Sequence, residues 1–254
     1  MKEKLYNIPI NDAVNADDEC PFCYIERAIE RDLMDFVLGS GSSYMESDVR
    51  EQTDKAGFCR AHFKKMFDYG NTLGNAWIMK THMKLVREEM SQAKTMYAVT
   101  KNSPVAMLKK SSTPGANAFS AWSDKRLNSC YICNEFESHY DRYMKTFFEM
   151  YFKDEEFKGR VNSHKGFCIP HFSDLLNYAS CHLNEKQQKE FSDTFFPLME
   201  ANMERLYKYV SWLIDKFDYR YKDEEWGGAR EALQNCMQKL KGGYPADPVY
   251  KQKK

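Results

Sequence analysis

The stretch GFCRAHF, Gly57 to Phe63, returns a hundred residues later as GFCIPHF, Gly166 to Phe172, and Tyr69 and Tyr178 follow the two histidines at the same distance. Each copy is preceded by a C-x2-C pair: Cys20 and Cys23 in CPFC, Cys130 and Cys133 in CYIC. The gaps agree, with 35 residues between Cys23 and Cys59 and 34 between Cys133 and Cys168. The two sets are offset by 110 residues at the first pair and 109 at the second. An internal duplication is the simplest account of such agreement. It limits the fold to one in which two similar sulfur-and-imidazole sets can each be satisfied.

Zinc takes four ligands at tetrahedral corners, drawn from thiolate and imidazole. A C-x2-C step lets two sulfurs converge on one ion. A C-x2-H step at a helix start does the same, because residues three apart share a helical face. The positive end of the helix dipole favours the thiolate there. Each half therefore offers a complete Cys3His set. Read in chain order, Cys20, Cys23, Cys59 and His62 are predicted at one ion, and Cys130, Cys133, Cys168 and His171 at the other, with a site that mixes ligands from the two halves as the lesser alternative. Gly57 and Gly166 would let the backbone turn sharply beside the ion, and Phe58 and Phe167 would cover the sites. Sites closed by four protein ligands are structural, so two structural zinc ions are expected. An iron–sulfur cluster is the alternative cofactor, since cysteine ligates both.

The surrounding pattern is helical. Ile25, Ile29, Leu33, Phe36 and Val37 fall on one face of a first helix that Gly39 and Gly41 stop. SDVREQTDKAG reads as a short return helix, and RAHFKKMFDYG as another with Phe63, Met66 and Phe67 inward. A long helix with Trp77, Met83, Val86 and Met90 follows, from Leu73 to about Val99. The second half repeats the plan, with a helix from Glu185 to about Asp218 that Pro197 is expected to kink. Strand signals are nearly absent. The expected fold is all-α: internally duplicated helical hairpin units, each pinned by a Cys3His site and packed into one body. Its divisions are a first repeat over 1–100, an irregular linker over 101–129, a second repeat over 130–241 and a tail over 242–254. Phe119 and Trp122 in the linker are expected to dock on a helical surface.

Several function classes are disfavoured by sequence. Net charge is zero, with 29% charged residues, so attraction to nucleic acid is not built in. The start MKEKLYNIPINDAVNADDEC has no apolar run of the secretory kind, and no apolar stretch is long enough to span a membrane. The chain is thus expected in the cytoplasm, where thiols stay reduced. CPFC resembles a dithiol redox motif, but the strands such a fold needs are missing. Haem attachment requires His directly after C-x2-C, where Tyr24 and Asn134 stand. No G-x-S-x-G, H-E-x-x-H or phosphate loop occurs, so no catalytic residue is assigned. Cys181, in SCHL, is expected to pack against a neighbouring helix beside a solvent-facing His182. Cys236 is expected in the core, and His82 at a polar edge of it.

One further segment is distinctive: KFDYRYKDEEWGG, with Lys216–Arg220 and Trp226. Together with Cys20, Cys23, Gly57–Cys59, His62, Cys130, Cys133, Gly166–Cys168 and His171, it resembles an uncharacterised family of bacterial proteins. Members carry both motifs in each half and end in KFDYR…W, and they are often labelled ABC transporter substrate-binding protein. The resemblance implies a ligand-binding protein associated with a transporter. The residues themselves lead first to a non-enzymatic, zinc-stabilised interaction or adaptor protein with a protein partner. A thiol-redox or iron–sulfur protein is a further alternative.

Overall fold

The computed structural model of the chain describes residues 6–97, 118–245 and 250. Among them are eleven α-helices and no strand. They run α1 (Asn7–Asn15), α2 (Pro21–Leu38), α3 (Ser47–Ala56), α4 (Arg60–Tyr69), α5 (Thr72–Thr95), α6 (Ala118–Leu127), α7 (Tyr131–Lys153), α8 (Glu155–Asn162), α9 (Ile169–His182), α10 (Glu185–Asp215) and α11 (Ala232–Lys241). The all-α expectation holds. Among the described residues no helix is long and apolar enough to cross a membrane.

The residues gather into two compact units. One draws on 1–30 and 138–248, the other on 31–137 and 249–254. These boundaries differ from the division into 1–100 and 130–241 read from the repeat. They fall inside α2 and α7, so each of those helices begins in one unit and ends in the other. Residues 101–117 of the expected linker, and Ala98 and Val99, lie outside the described residues. The rest of that linker is largely helical, as α6. Trp122 and Arg126 are why it docks: both donate to the Glu89 carboxylate on α5, Trp122 Nε1 at 3.0 Å and Arg126 Nε at 2.6 Å.

In the 31–137 unit, α5 packs against α3, α4 and α6. Buried Asn71 joins two helix ends. Its Oδ1 accepts from Gly74 N–H and caps α5, while its Nδ2 donates to Leu38 O at the end of α2. Tyr69 donates from its hydroxyl to Asp35 on α2 at 2.6 Å. Several details of the expected faces change. Phe36 is 47%, Phe63 36% and Phe67 83% exposed, whereas Met66 is buried. On α4 the inward face is His62, Met66 and Tyr69, residues one helical face apart, so the ligand histidine sets the phase of that helix. Met83 and Met90 on α5 are exposed too, and its buried positions are Gly74, Ile78 and Ala93.

The other unit is built on rings. Phe147 on α7 is fully buried. Its ring lies 5.3 Å from that of Phe22, 5.9 Å from Phe167 and 5.9 Å from Phe157, all near edge-on. Phe191 and Phe195 on α10 complete the cluster through Tyr151. α10 is capped by Asn184 in a reciprocal box with Gln187 and runs unbroken from Glu185 to Asp215, with Pro197 inside it. α11 packs on α9 and α10.

Between α10 and α11 the KFDYR…W segment folds around a buried lysine. Lys216 Nζ donates to the carbonyls of Tyr221, Lys222 (3.3 Å) and Glu224 (2.6 Å) and lies over the rings of Trp212 and Trp226. The corner is thus organised by Lys216 as much as by Trp226. We expect Lys216→Met to leave those carbonyls without their charged donor and to destabilise this unit by about 2–3 kcal/mol. A shift in urea midpoint, followed by Trp212 and Trp226 fluorescence, measures it.

Candidate metal centres

All four motif pairs fold the same way. Cys20 directly precedes α2, Cys59 precedes α4, Cys130 precedes α7 and Cys168 precedes α9. The second member of each pair sits at the third residue of its helix. Both side chains of a pair therefore project from one helix start, where unpaired N–H groups favour negative charge. Cys168 shows this directly, its Sγ accepting from the His171 N–H at 3.5 Å. Gly57 and Gly166 precede the C-x2-H pairs with φ of 65° and 78°. A Cβ at Gly57 would stand 2.8 Å from the His82 ring, and one at Gly166 would stand 3.0 Å from the Met199 sulfur. Both positions need glycine for conformation and for space.

The eight candidate ligands gather into two quartets, but not the two expected from chain order. Cys20, Cys23, Cys168 and His171 form one; Cys59, His62, Cys130 and Cys133 form the other. Within each, the ligand atoms all lie within 4.8 Å of one another. The pairing Cys20–Cys23 with Cys59–His62, and Cys130–Cys133 with Cys168–His171, is therefore corrected: the first helix start is matched with the fourth, and the second with the third. Helix lengths run with this matching. α2 has 18 residues and α3 has 10, so an outward path of roughly 27 Å meets a return of roughly 15 Å. α7 has 23 residues and α8 has 8, a larger shortfall. Neither return helix by itself retraces the helix before it.

The first quartet lies wholly in the unit of 1–30 and 138–248 and is buried at all four positions. His171 Nδ1 lies 3.4 Å from Cys20 Sγ, 3.5 Å from Cys23 Sγ and 3.0 Å from Cys168 Sγ. Cys23 and Cys168 sulfurs are 3.7 Å apart. For one ion with bonds of about 2.3 Å to sulfur and about 2.0 Å to nitrogen, tetrahedral corners are about 3.8 Å apart for S–S and about 3.5 Å for S–N. The observed spacings fit a single ion. Nδ1 is the ligand atom, because Nε2 faces Glu26 Oε1 at 3.1 Å. That carboxylate fixes ring and tautomer, as outer partners of metal-bound histidines do. Phe22 and Tyr140 flank the imidazole at 5.9 Å.

Burial and neighbouring charge act against each other at this quartet. Burial disfavours charge on His171, yet the three sulfurs and Glu26 outweigh it and push its pKa up. For Cys23, Cys168 pulls downward, while Cys20 and burial prevail and raise the thiol. A divalent ion held there would supply positive charge to offset the crowding at Cys23.

The second quartet lies in the 31–137 unit. His62 Nδ1 is 3.2 Å from Cys59 Sγ, 3.3 Å from Cys130 Sγ and 3.5 Å from Cys133 Sγ. Here Cys59 and Cys133 are only partly buried. A backbone bond joins the two turns, Tyr131 N–H donating to Gly57 O at 2.9 Å. Burial opposes ionisation of Cys130, but His62 and the N–H groups of Cys59 and Cys133 bring its pKa down, whereas burial and the neighbouring sulfurs push Cys133 up.

The remaining cysteines and histidines stand apart. Cys181 is exposed rather than packed, and Cys236 is half-buried with its sulfur towards Leu206 O. His82 Nδ1 donates to Asp54 O, 2.9 Å away, at the polar edge expected of it. Residues around the first quartet were not legible. Glu26 carried one faint signal, lying three after Cys23 and so on its helical face.

No curated protein and no solved structure matches the chain. A family-wide match does exist and spans residues 1–247, covering both quartets and the Lys216 corner. The chain belongs to the family described as "Family of unknown function (DUF6062)".

Proposed function

We propose that the chain is a non-enzymatic helical adaptor of the cytoplasm, held by two structural zinc ions and presenting helical surface to a protein partner. The observation that carries this reading is the closure of each quartet by four protein ligands at helix starts, which leaves no corner for a substrate. The 3.7 Å sulfur spacing favours one ion over a multi-iron cluster, whose several metals would hold their cysteines further apart. Exposed apolar residues on α10 and the corner after it, Tyr207, Ile214, Phe217 and Tyr219, supply surface suited to a partner. Metal analysis with a visible spectrum, on protein purified without oxygen, is the test. Two zinc per chain in a colourless sample is the expected result. Brown protein with iron and sulfide would replace this reading with the iron–sulfur one.

A second reading, ligand binding, draws on a polar cavity of about 580 Å³ in the first unit, lined by Asp17, His164, Arg205, Tyr209 and Arg230. Its size suits a small molecule. A compound that raises the melting temperature of wild type but not of Arg230→Ala would support it.

A further inference from the structure

We infer that the last helix and the glycine that ends it form the outer shell of the first metal centre, with Lys239 as positioning residue and counter-charge and Gly242 as lid. This rests on the reading that the quartet holds a metal ion.

Three positions of α11 and its cap reach the ligand turns. Lys239 is fully buried. Its Nζ donates to Glu19 O at 2.7 Å and Lys165 O at 2.8 Å and lies 3.2 Å from Glu19 Oε2. Those carbonyls belong to the residue before Cys20 and the residue before Gly166, so one ammonium ties together both turns that carry ligands. Gln238, also buried, donates to Asp18 Oδ1, the oxygen that accepts the Cys20 N–H at 3.0 Å. Gly242 closes the set. With φ 76° and ψ −178° it occupies a conformation that L residues rarely adopt, and a Cβ there would point at the sulfurs, 3.6 Å from Cys168 Sγ and 3.9 Å from Cys23 Sγ.

Charge gives the arrangement its purpose. A divalent ion with three thiolates and a neutral imidazole carries one net negative charge, and buried charge is costly unless paired. Glu19, 2% exposed, adds a second. Lys239 and Arg205, whose guanidinium meets Glu19 Oε1 at 2.8 Å and Oε2 at 2.6 Å, offset these two charges, while Glu26, partly exposed, faces His171 from the other side. Coupling between the helix and the ion runs both ways: what α11 adds to metal retention, the ion returns as docking of α11.

The experiment uses full-length protein loaded with zinc in a Cys59→Ser background, which retains only the first-centre ion. Release to an excess of coloured chelator is timed in this background and with Lys239→Met added. Release about 10–100-fold faster is expected. Gly242→Ala, tested alongside, is expected to speed release in the same direction should Lys239→Met fail to fold. Wild-type release in folded variants, or equal acceleration of both ions when Lys239→Met is placed in the otherwise wild-type chain, overturns the inference. A wild-type chain without metal would instead sink the underlying reading.

Discussion

The double variant Cys23→Ser/Cys168→Ser is expected to keep one metal ion per chain, and Cys23→Ser/Cys59→Ser to keep none. In the first variant both lost ligands belong to one quartet, so the other is intact. In the second, each quartet loses a sulfur. Had the centres followed chain order, the results would be reversed. Metal analysis of the two purified variants therefore decides the partition. The effect on folding should be large. Structural zinc contributes about 10–16 kcal/mol to the folded state of small domains, more than or comparable to the roughly 5–15 kcal/mol by which whole domains are stable. Loss of the first ion should unravel residues 1–30 and 138–248 in hydrogen exchange and leave α3, α4 and α5 protected.

Phe147→Ala is expected to cost the same unit about 3–5 kcal/mol, the range for emptying a buried phenylalanine site. The ring is fully buried and meets Phe22, Phe148, Tyr151, Phe157 and Phe167. Two of those neighbours sit in the ligand turns: Phe22 precedes Cys23, and Phe167 precedes Cys168. The cavity should thus loosen the first centre as well as the core, with faster zinc release there and none at the second. Phe217→Ala provides the contrast. That ring is 84% exposed, so its removal should stay within about 0.5 kcal/mol. Calorimetry of the two variants, read at the transition of this unit, checks both; equal shifts would mean the ring cluster is not the core described above.

Local features were readable from residues alone, because local physics sets them. Cysteine three residues before cysteine or histidine, after a glycine or before a helical pattern, places ligands at a helix start wherever the chain later goes. The helices themselves followed from apolar spacing. Partition did not follow, since two quartets with equal spacing satisfy either matching. Helix length alone does not decide it, because the residues that join these helices can span most of the difference. Phe36 and Phe67 were misplaced because ring type says little about facing when a metal ligand sets a helix's phase. Lys239 and Glu19 gave no signal, since buried charges resemble surface ones until their partners are known.

The crossed matching has a consequence for synthesis. Cys59 to Cys133 lies entirely between Cys23 and Cys168, so one ligand set is nested inside the other, and two bound ions would close one loop within another. On the ribosome the inner set is complete once Cys133 emerges, whereas Cys20 and Cys23 must wait for His171. At about 5–20 residues per second that wait is on the order of ten seconds. Closing the inner loop first also shortens the span that the outer one must bridge, which lowers its entropic cost. Translation order and chain entropy thus favour the same sequence of loading, inner ion before outer.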